Sequence, residues 1–184
     1  MNYDELLAEA IWRAGKRKDH IVGCCREAGR LAKRWGVQEE TALCAAAMHD
    51  ITKGRKLGDQ LKLCKKYGIV LDEIQQKEPS LLHALTGAAL GADFYGLSAE
   101  VCSAIRWHTT GRPNMEPLDK IVFLADMVEP SREFSGVDEL RALSYSNIDY
   151  ALRVAIASTV ASVLKKGRLL HHDSVAAYNF LLLT

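Results

Sequence analysis

The sequence predicts an all-α protein, a helical bundle forming a single domain, and three observations lead there. Apolar residues recur at three- and four-residue steps along most of the 184 residues, while alternating strand patterns are almost absent. No repeat, linker or low-complexity tract divides the chain. Its length suits one domain that buries most of its apolar surface without staples.

Each element follows from its residues. Leu6, Leu7, Ala10 and Ile11 form the apolar set of a first helix. From about His20 to Trp35, Ile21, Cys24, Cys25, Ala28, Leu31 and Ala32 repeat at helical spacing, and Gly36 ends the run. The segment Thr41 to Met48 (TALCAAAM) is apolar on every side, as a central helix surrounded by others would be, and His49 and Asp50 stand at its C-terminal end. Gly54 and Gly58 bracket a loop, and the lysine-rich LKLCKKYG that follows reads as peripheral. Ser80 is placed to cap a helix running through Phe94, with Leu81, Leu82, Leu85, Ala88 and Ala89 inward and Gly96 as the stop. Ser98 restarts helix up to Trp107. After the TTGRPNM loop, Pro117 suits a first helical turn, and Pro130 closes the segment LDKIVFLADMVE. Two further helices, around Ile148 to Leu164 and Ser174 to Leu183, complete the chain.

Composition narrows the function classes. Lys plus Arg number 24 and Asp plus Glu 23, a formal net charge of +1, so there is no general attraction to nucleic acid or an anionic membrane. Phosphate recognition, if present, must be local. Cys24, Cys25, Cys44, Cys64 and Cys102 form no C-x-x-C pair, and an odd number cannot all close into disulfides. They read as small buried apolar residues in a reducing, cytoplasmic compartment. The first 20 residues carry acids early and lack the apolar run of a signal peptide, and nothing later approaches the roughly 20 apolar residues of a membrane span. The expectation is a soluble cytoplasmic protein.

Six side chains stand out: His20, His49, Asp50, His83, His108 and Asp126. A lone histidine in a helix is ordinarily a hydrogen-bonded core or surface residue. Here the arrangement argues otherwise. His49-Asp50 follows an all-apolar run, and Asp126 lies inside IVFLADMV, where an unpaired carboxylate would be expensive to bury and a metal would satisfy it. The intervals of 29, 25 and 18 positions from His20 to His49, His83 to His108 and His108 to Asp126 each fit a helix, a turn and a return helix. Adjacent residues at a helix end point about 100° apart, so His49 and Asp50 can bind from neighbouring directions, with Asp50 as a bridge. Four imidazoles and two carboxylates are the donors of a paired first-row transition-metal site, and two metals imply hydrolysis of a phosphate ester or anhydride. His171 and His172 precede the last helix and read as loop or capping residues outside the site.

The motifs resemble those of HD-domain metal-dependent phosphohydrolases, specifically the YqeK-type symmetrical diadenosine tetraphosphate hydrolases of bacteria. His20, His49-Asp50 and Asp126 match the superfamily pattern H…HD…D. The subfamily resemblance rests on LLHALTG with His83, RWHTTGRPNM with His108, FLADMVEPSREFSGV with Asp126, Glu129, Pro130 and Arg132, and the closing HHDSVAAYN. It spans about Arg17 to Asn179. One departure is Ile51-Thr52-Lys53 after the HD pair, where an aromatic or small residue would be expected before the lysine.

The resemblance implies an HD-domain helical bundle over residues 1–184, with a metal-site core of about 17–132 and C-terminal helices of about 137–183. It implies two irons, with manganese or another first-row metal as a possible substitute. His20, His49, Asp50 and Asp126 would hold one metal, and Asp50, His83 and His108 the other, with a bridging hydroxide as nucleophile. Asp50 and Lys53 are the catalytic candidates. Lys53, three residues beyond Asp50, would neutralise a phosphate if the helix continues, and otherwise is a solvated lysine of the KGRK run. Thr109, Thr110 and Gly111 offer hydroxyl and N–H donors, and Arg112 and Arg132 planar forks suited to phosphate. Arg132 could instead cap the preceding helix, and Glu129 could support a ligand or be a surface acid. The implied activity is cleavage of diadenosine tetraphosphate into two ADP. The alternatives are a mononucleotide phosphohydrolase, which the donor set leaves open, and a non-catalytic nucleotide-sensing module, which would have no need to keep both metals in place. The partner is a small nucleotide, with neither membrane nor nucleic acid indicated and the oligomeric state open.

Overall fold

The computed structural model describes residues Met1–Thr184, and its regular elements are helices alone: α1 (Tyr3–Ala14), α2 (Lys18–Trp35), α3 (Glu39–Met48), α4 (Leu57–Lys66), α5 (Glu73–Lys77), α6 (Leu82–Tyr95), α7 (Ala99–Trp107), α8 (Pro117–Val128), α9 (Val137–Ser146), α10 (Ile148–Lys165) and α11 (His172–Leu183), with short 3-10 turns before α2 and α6. None is long and apolar enough to cross a membrane.

The order of the helices follows from which faces need cover. α3 carries alanines on all sides, and Ala42, Ala45, Ala46, Ala47 and Met48 are buried. Their small side chains let α1, α2, α7 and α8 pack around it. α2 is strongly one-sided. Ile21, Cys24, Cys25, Ala28, Leu31 and Ala32 are buried, while Lys18, Arg26, Arg30 and Lys33 face outward. α8 is covered by α2, α7 and α10, and its Phe123, Leu118, Ile121 and Leu124 are fully buried. These side chains belong to one continuous cluster of 33 buried apolar residues, so the site is set in a single core. α4 and α5 lie outside, α4 docking on α6 through buried Gln60 and Cys64, while α9 and α10 cover the far side of α8 and α11 packs on α10.

Local chemistry fixes several ends. Asn2 Oδ1 accepts from Glu5 N at 3.0 Å while Glu5 Oε2 accepts from Asn2 N, a reciprocal cap on α1. Ser98 Oγ accepts from Val101 N and starts α7 as its sequence indicates.

Three expectations are corrected. Ser80 does not cap α6: Pro79 to Leu81 form a 3-10 turn, α6 begins at Leu82, and the Ser80 hydroxyl accepts from Arg168 Nη2 at 2.7 Å. The buried face of α6 is Leu82, His83, Ala84, Thr86, Gly87 and Leu90, with Leu81, Leu85, Ala88 and Ala89 only half-buried, because the helix sits between α7 and α4 rather than on one flat core. Gly58 is inside α4, whose first turn starts at Leu57 after an extended Lys56. Two elements were also not delineated. α5 is a five-residue helix capped by Asp72 Oδ1, which accepts from the N–H groups of Ile74 and Gln75. α9 turns only Val137, Leu140 and Ser144 fully inward.

Candidate metal centre

The bundle brings all six candidate side chains to one point. His20 is in the first turn of α2, His49 and Asp50 follow the last turn of α3, His83 opens α6, His108 follows α7, and Asp126 is in the last turns of α8. The four histidines and Asp50 are buried, and the Asp126 side chain is 13% exposed. The imidazoles form an edge-to-face chain, His20 to His49 to His108 to His83, with ring centroids 5.4, 4.9 and 5.0 Å apart.

Backbone carbonyls set the orientation of three rings. The Nδ1 of His49 lies 2.6 Å from Ala46 O, that of His83 2.7 Å from Ser80 O, and that of His108 2.7 Å from Ile105 O. A carbonyl can only accept, so each Nδ1 carries the proton and each Nε2 presents a lone pair. The Nε2 atoms of His83 and His108 then face one another at 3.0 Å as two acceptors. Nε2 of His49 is buried without a hydrogen-bond partner, as is Oδ1 of Asp50. Converging lone pairs and an unpartnered carboxylate oxygen are costly together and become favourable around a cation. On these grounds the donor set fits a metal.

His20 is held differently. Its Nδ1 is 3.0 Å from Glu129 Oε1, and the same carboxylate accepts from Ser131 N at 2.8 Å and Ser131 Oγ at 2.5 Å. Glu129 is buried against Gly23, where a Cβ would lie 2.6 Å from Oε2. A carboxylate behind a histidine makes it a more basic donor and fixes its ring plane. The loop behind Glu129 is fastened from α9: Arg141 donates to the carbonyls of Val128, Glu129 and Arg132.

Asp50 stands at the middle, its two oxygens on different partners. Oδ1 is 3.1 Å from His83 Nε2 and 3.5 Å from His108 Nε2, while Oδ2 is 3.2 Å from His49 Nε2 and 3.7 Å from His20 Nε2. Asp126 Oδ1 joins the second group, 3.2 Å from His20 and 3.9 Å from His49. The donors thus divide into two sets that share one carboxylate.

A scan against known families finds the HD domain over residues 17–131. The symmetrical bis(5'-nucleosyl)-tetraphosphatase of Halalkalibacterium halodurans is 38% identical over 91% of this chain and 89% of that protein, and that of Bacillus subtilis 34% identical over 98% of both. The chain belongs to the HD domain family, with the symmetrical bis(5'-nucleosyl)-tetraphosphatases. A solved structure described as a predicted HD superfamily hydrolase involved in NAD metabolism, from Clostridium acetobutylicum, superimposes with a TM-score of 0.94 at 36% identity, covering 100% of this chain and 98% of that one.

HD-family chemistry is metal-dependent, and the electrostatics here suit a metal. Burial would raise the Asp50 carboxyl, but the imidazoles of His49, His108 and His20 hold it well below its ordinary range. Asp126 is likewise lowered, by His20, His49 and Arg132 against the effect of burial. Burial pushes His108 down to about 4, so that ring is neutral at pH 7. Burial would lower His20 too, but Asp126, Asp50 and Glu129 raise it to about 9. A bound metal must therefore displace a proton from His20.

Among the phosphate-binding candidates of this HD-family chain, Lys53 and Arg132 reach the cluster. The helix does not continue to Lys53, since residues 49–54 form successive turns, yet Nζ lies 3.0 Å from Asp50 Oδ2. Arg132 donates to Asp126 through Nη2, and through Nε to the Asp126 carbonyl at 2.7 Å. Arg112 instead forks onto buried Asp119 through Nε at 3.2 Å and Nη2 at 2.9 Å. Thr109 and Thr110 line a small pocket beside His171, Thr109 with a buried unpartnered hydroxyl, and Gly111 has φ +68° with a Cβ position crowded by Ala177 at 3.2 Å. His171 caps α11, its Nδ1 accepting from Asp173 N, and its Nε2 reaches Asp72 at 2.9 Å. Sequence reasoning missed Arg17, whose Nη2 is 2.5 Å from Asp50 Oδ2. Its only signal was a position one turn before His20.

Proposed function

We propose that this chain hydrolyses diadenosine tetraphosphate symmetrically to two ADP at a two-iron centre, in the cytoplasm. The observation that carries the reading is the division of Asp50 between two donor sets. It supports His20, His49, Asp50 and Asp126 as ligands of one metal, and Asp50, His83 and His108 as ligands of the other. The close relatives carry this activity in their names, and the mixed imidazole and carboxylate donors suit iron or manganese better than a thiolate-seeking metal. Five free cysteines fit a reducing compartment.

Held by these donors, a pair of metal ions would supply Lewis-acid charge at a phosphoryl oxygen and lower the pKa of water toward neutrality. The chain's own residues do the rest. Backbone carbonyls and Glu129 hold the four imidazoles in one tautomer, so no ring reorganises during turnover. Lys53 and Arg132, already at the carboxylates, are placed to neutralise the non-bridging oxygens of a polyphosphate. His83, His108 and His49 are buried and engaged through Nδ1, and the half-exposed Arg17, Lys53 and Arg132 stand at the solvent side of the centre.

Incubation of the iron-loaded protein with diadenosine tetraphosphate tests the reading. ADP as the sole initial product supports it. ATP with AMP refutes symmetrical cleavage, and free phosphate released from mononucleotides without dinucleotide cleavage indicates a nucleotidase. Tight binding without product indicates a sensor.

A further inference from the structure

Cys24 lies four residues after His20 on α2, hence on the same face one turn along, and a helical side chain leans over the turn before its own. It is 1% exposed, and its Sγ is 3.6 Å from Nε2 and 3.7 Å from Nδ1 of His20. Near-equal distances to both nitrogens put the sulfur along neither N–H direction, so the contact is not a directed hydrogen bond. What the sulfur shares with His20 is a set of neighbours. One donor atom from each of His20, Cys24, His49 and Asp126 lies within 4.8 Å of the other three. In that set Nε2 of His49 is fully buried with no hydrogen-bond partner. A buried cysteine ordinarily packs as a small apolar residue. Cys25, the next residue, does so against α3, with Sγ 3.9 Å from the Leu43 carbonyl, and belongs to no donor cluster. Cys24 instead stands beside a lone pair that nothing in the protein satisfies. The spacing suits one ion. Bonds of about 2.0 Å to nitrogen and about 2.3 Å to sulfur at a tetrahedral angle set the two donors about 3.5 Å apart. The 3.6 Å from Sγ to His20 Nε2 is close to that, and the 3.2 Å from the same nitrogen to Asp126 Oδ1 suits a nitrogen and an oxygen on one metal.

We propose that Cys24 is a further metal donor, a thiolate at the position of His20, His49 and Asp126. The assignment rests on the two-position reading of the centre and makes those positions unequal. Asp50, His83 and His108 offer nitrogen and oxygen alone. Cys24 adds one soft donor to the other position, which then favours a sulfur-accepting divalent ion such as zinc or cobalt over manganese. On loading, the metal–sulfur bond forms as the S–H bond breaks, and the proton leaves to solvent.

The test is spectroscopy of metal-stripped protein reloaded with cobalt or with zinc, for wild type, Cys24→Ala and Cys25→Ala, with metal content and melting temperature recorded for each. Cobalt in wild type and in Cys25→Ala should give a near-ultraviolet thiolate-to-cobalt charge-transfer band. Cys24→Ala should lose that band while keeping its cobalt and the visible bands. The same variant should bind zinc at this position about 10- to 100-fold more weakly, with manganese affected less. X-ray absorption of the wild-type zinc protein should show a sulfur scatterer about 2.3 Å from the metal, a measurement that needs no variant to fold. A shell of nitrogen and oxygen alone, no charge-transfer band at full cobalt loading, or a band that survives in Cys24→Ala overturns the proposal. None of these readouts involves substrate. Sulfur coordination in a protein that makes no ADP from diadenosine tetraphosphate leaves the donor assignment standing and fails the activity, whereas turnover without sulfur coordination does the reverse.

Discussion

Replacing Gly23 by alanine should damage the centre from behind without touching any candidate ligand. The added Cβ would lie 2.6 Å from Glu129 Oε2 and 3.3 Å from its Cδ. The carboxylate has little freedom to retreat, since Ser131 holds it at 2.8 and 2.5 Å and His20 at 3.0 Å. Relief of the overlap breaks at least one charge-assisted hydrogen bond, at a cost of about 1.5–3 kcal/mol. Alanine in mid-helix returns about 0.5–1 kcal/mol relative to glycine. The net loss is about 1–2 kcal/mol, which for a chain of this size lowers Tm by roughly 2–8 °C. With its backing carboxylate displaced, His20 should also hold metal about 10- to 100-fold more weakly. Thermal melting and elemental analysis after dialysis measure both effects, with Glu129→Gln as a companion that keeps the shape and removes the charge. A Gly23→Ala protein as stable as wild type, with unchanged metal content, would refute the claim that Glu129 positions His20.

The other predictions concern charge and acidity. Asp50→Ala should lose both metals together, because one carboxylate serves both donor sets, and retention of either by elemental analysis would end the bridging assignment. Lys53→Ala should keep its metals yet lower kcat/KM by about 10- to 1000-fold, and wild-type kinetics would return Lys53 to the solvated surface. Arg112→Ala should cost about 3 kcal/mol in denaturant unfolding by leaving Asp119 buried and unpaired, an effect on stability that metal content should not follow. In metal-stripped protein, the raised His20 contributes stability that is present below its unfolded pKa near 6.5 and lost as pH rises through about 9. The lowered His108 acts oppositely, its contribution being present above about 6.5 and lost as pH falls toward 4. Stability of that form should therefore peak near pH 6.5, whereas apparent metal affinity should climb up to about pH 9 as the His20 proton is more easily displaced. Metal affinity flat across pH 6.5–9 would contradict the proton on His20.

The six converging residues were legible because the cost of burial is written locally. A carboxylate inside IVFLADMV, or a His-Asp pair after TALCAAAM, needs a partner whatever the tertiary structure. The helices around them were legible for the same reason, through apolar spacing. What sequence could not settle depended on distant partners. Glu129 reads equally as a surface acid or a support until Gly23 and His20, 109 residues earlier in the case of His20, are seen against it. Arg112 has the composition of a phosphate fork, but Asp119 seven residues later takes its guanidinium. Arg17 carries no motif, and only the turn into α2 brings it to Asp50. α9 escaped notice because its inward face is sparse, and its main task is polar, with Arg141 fastening the loop that bears Glu129 and Arg132.

The central claim is that Asp50 joins two metal positions, and anomalous diffraction from crystals of the iron-loaded protein tests it most directly. The expected map has two iron peaks about 3.5–4 Å apart on either side of the Asp50 carboxylate. One should lie among His20, His49 and Asp126, the other between His83 and His108. A single peak at full loading, or two peaks that do not share Asp50, would contradict the account.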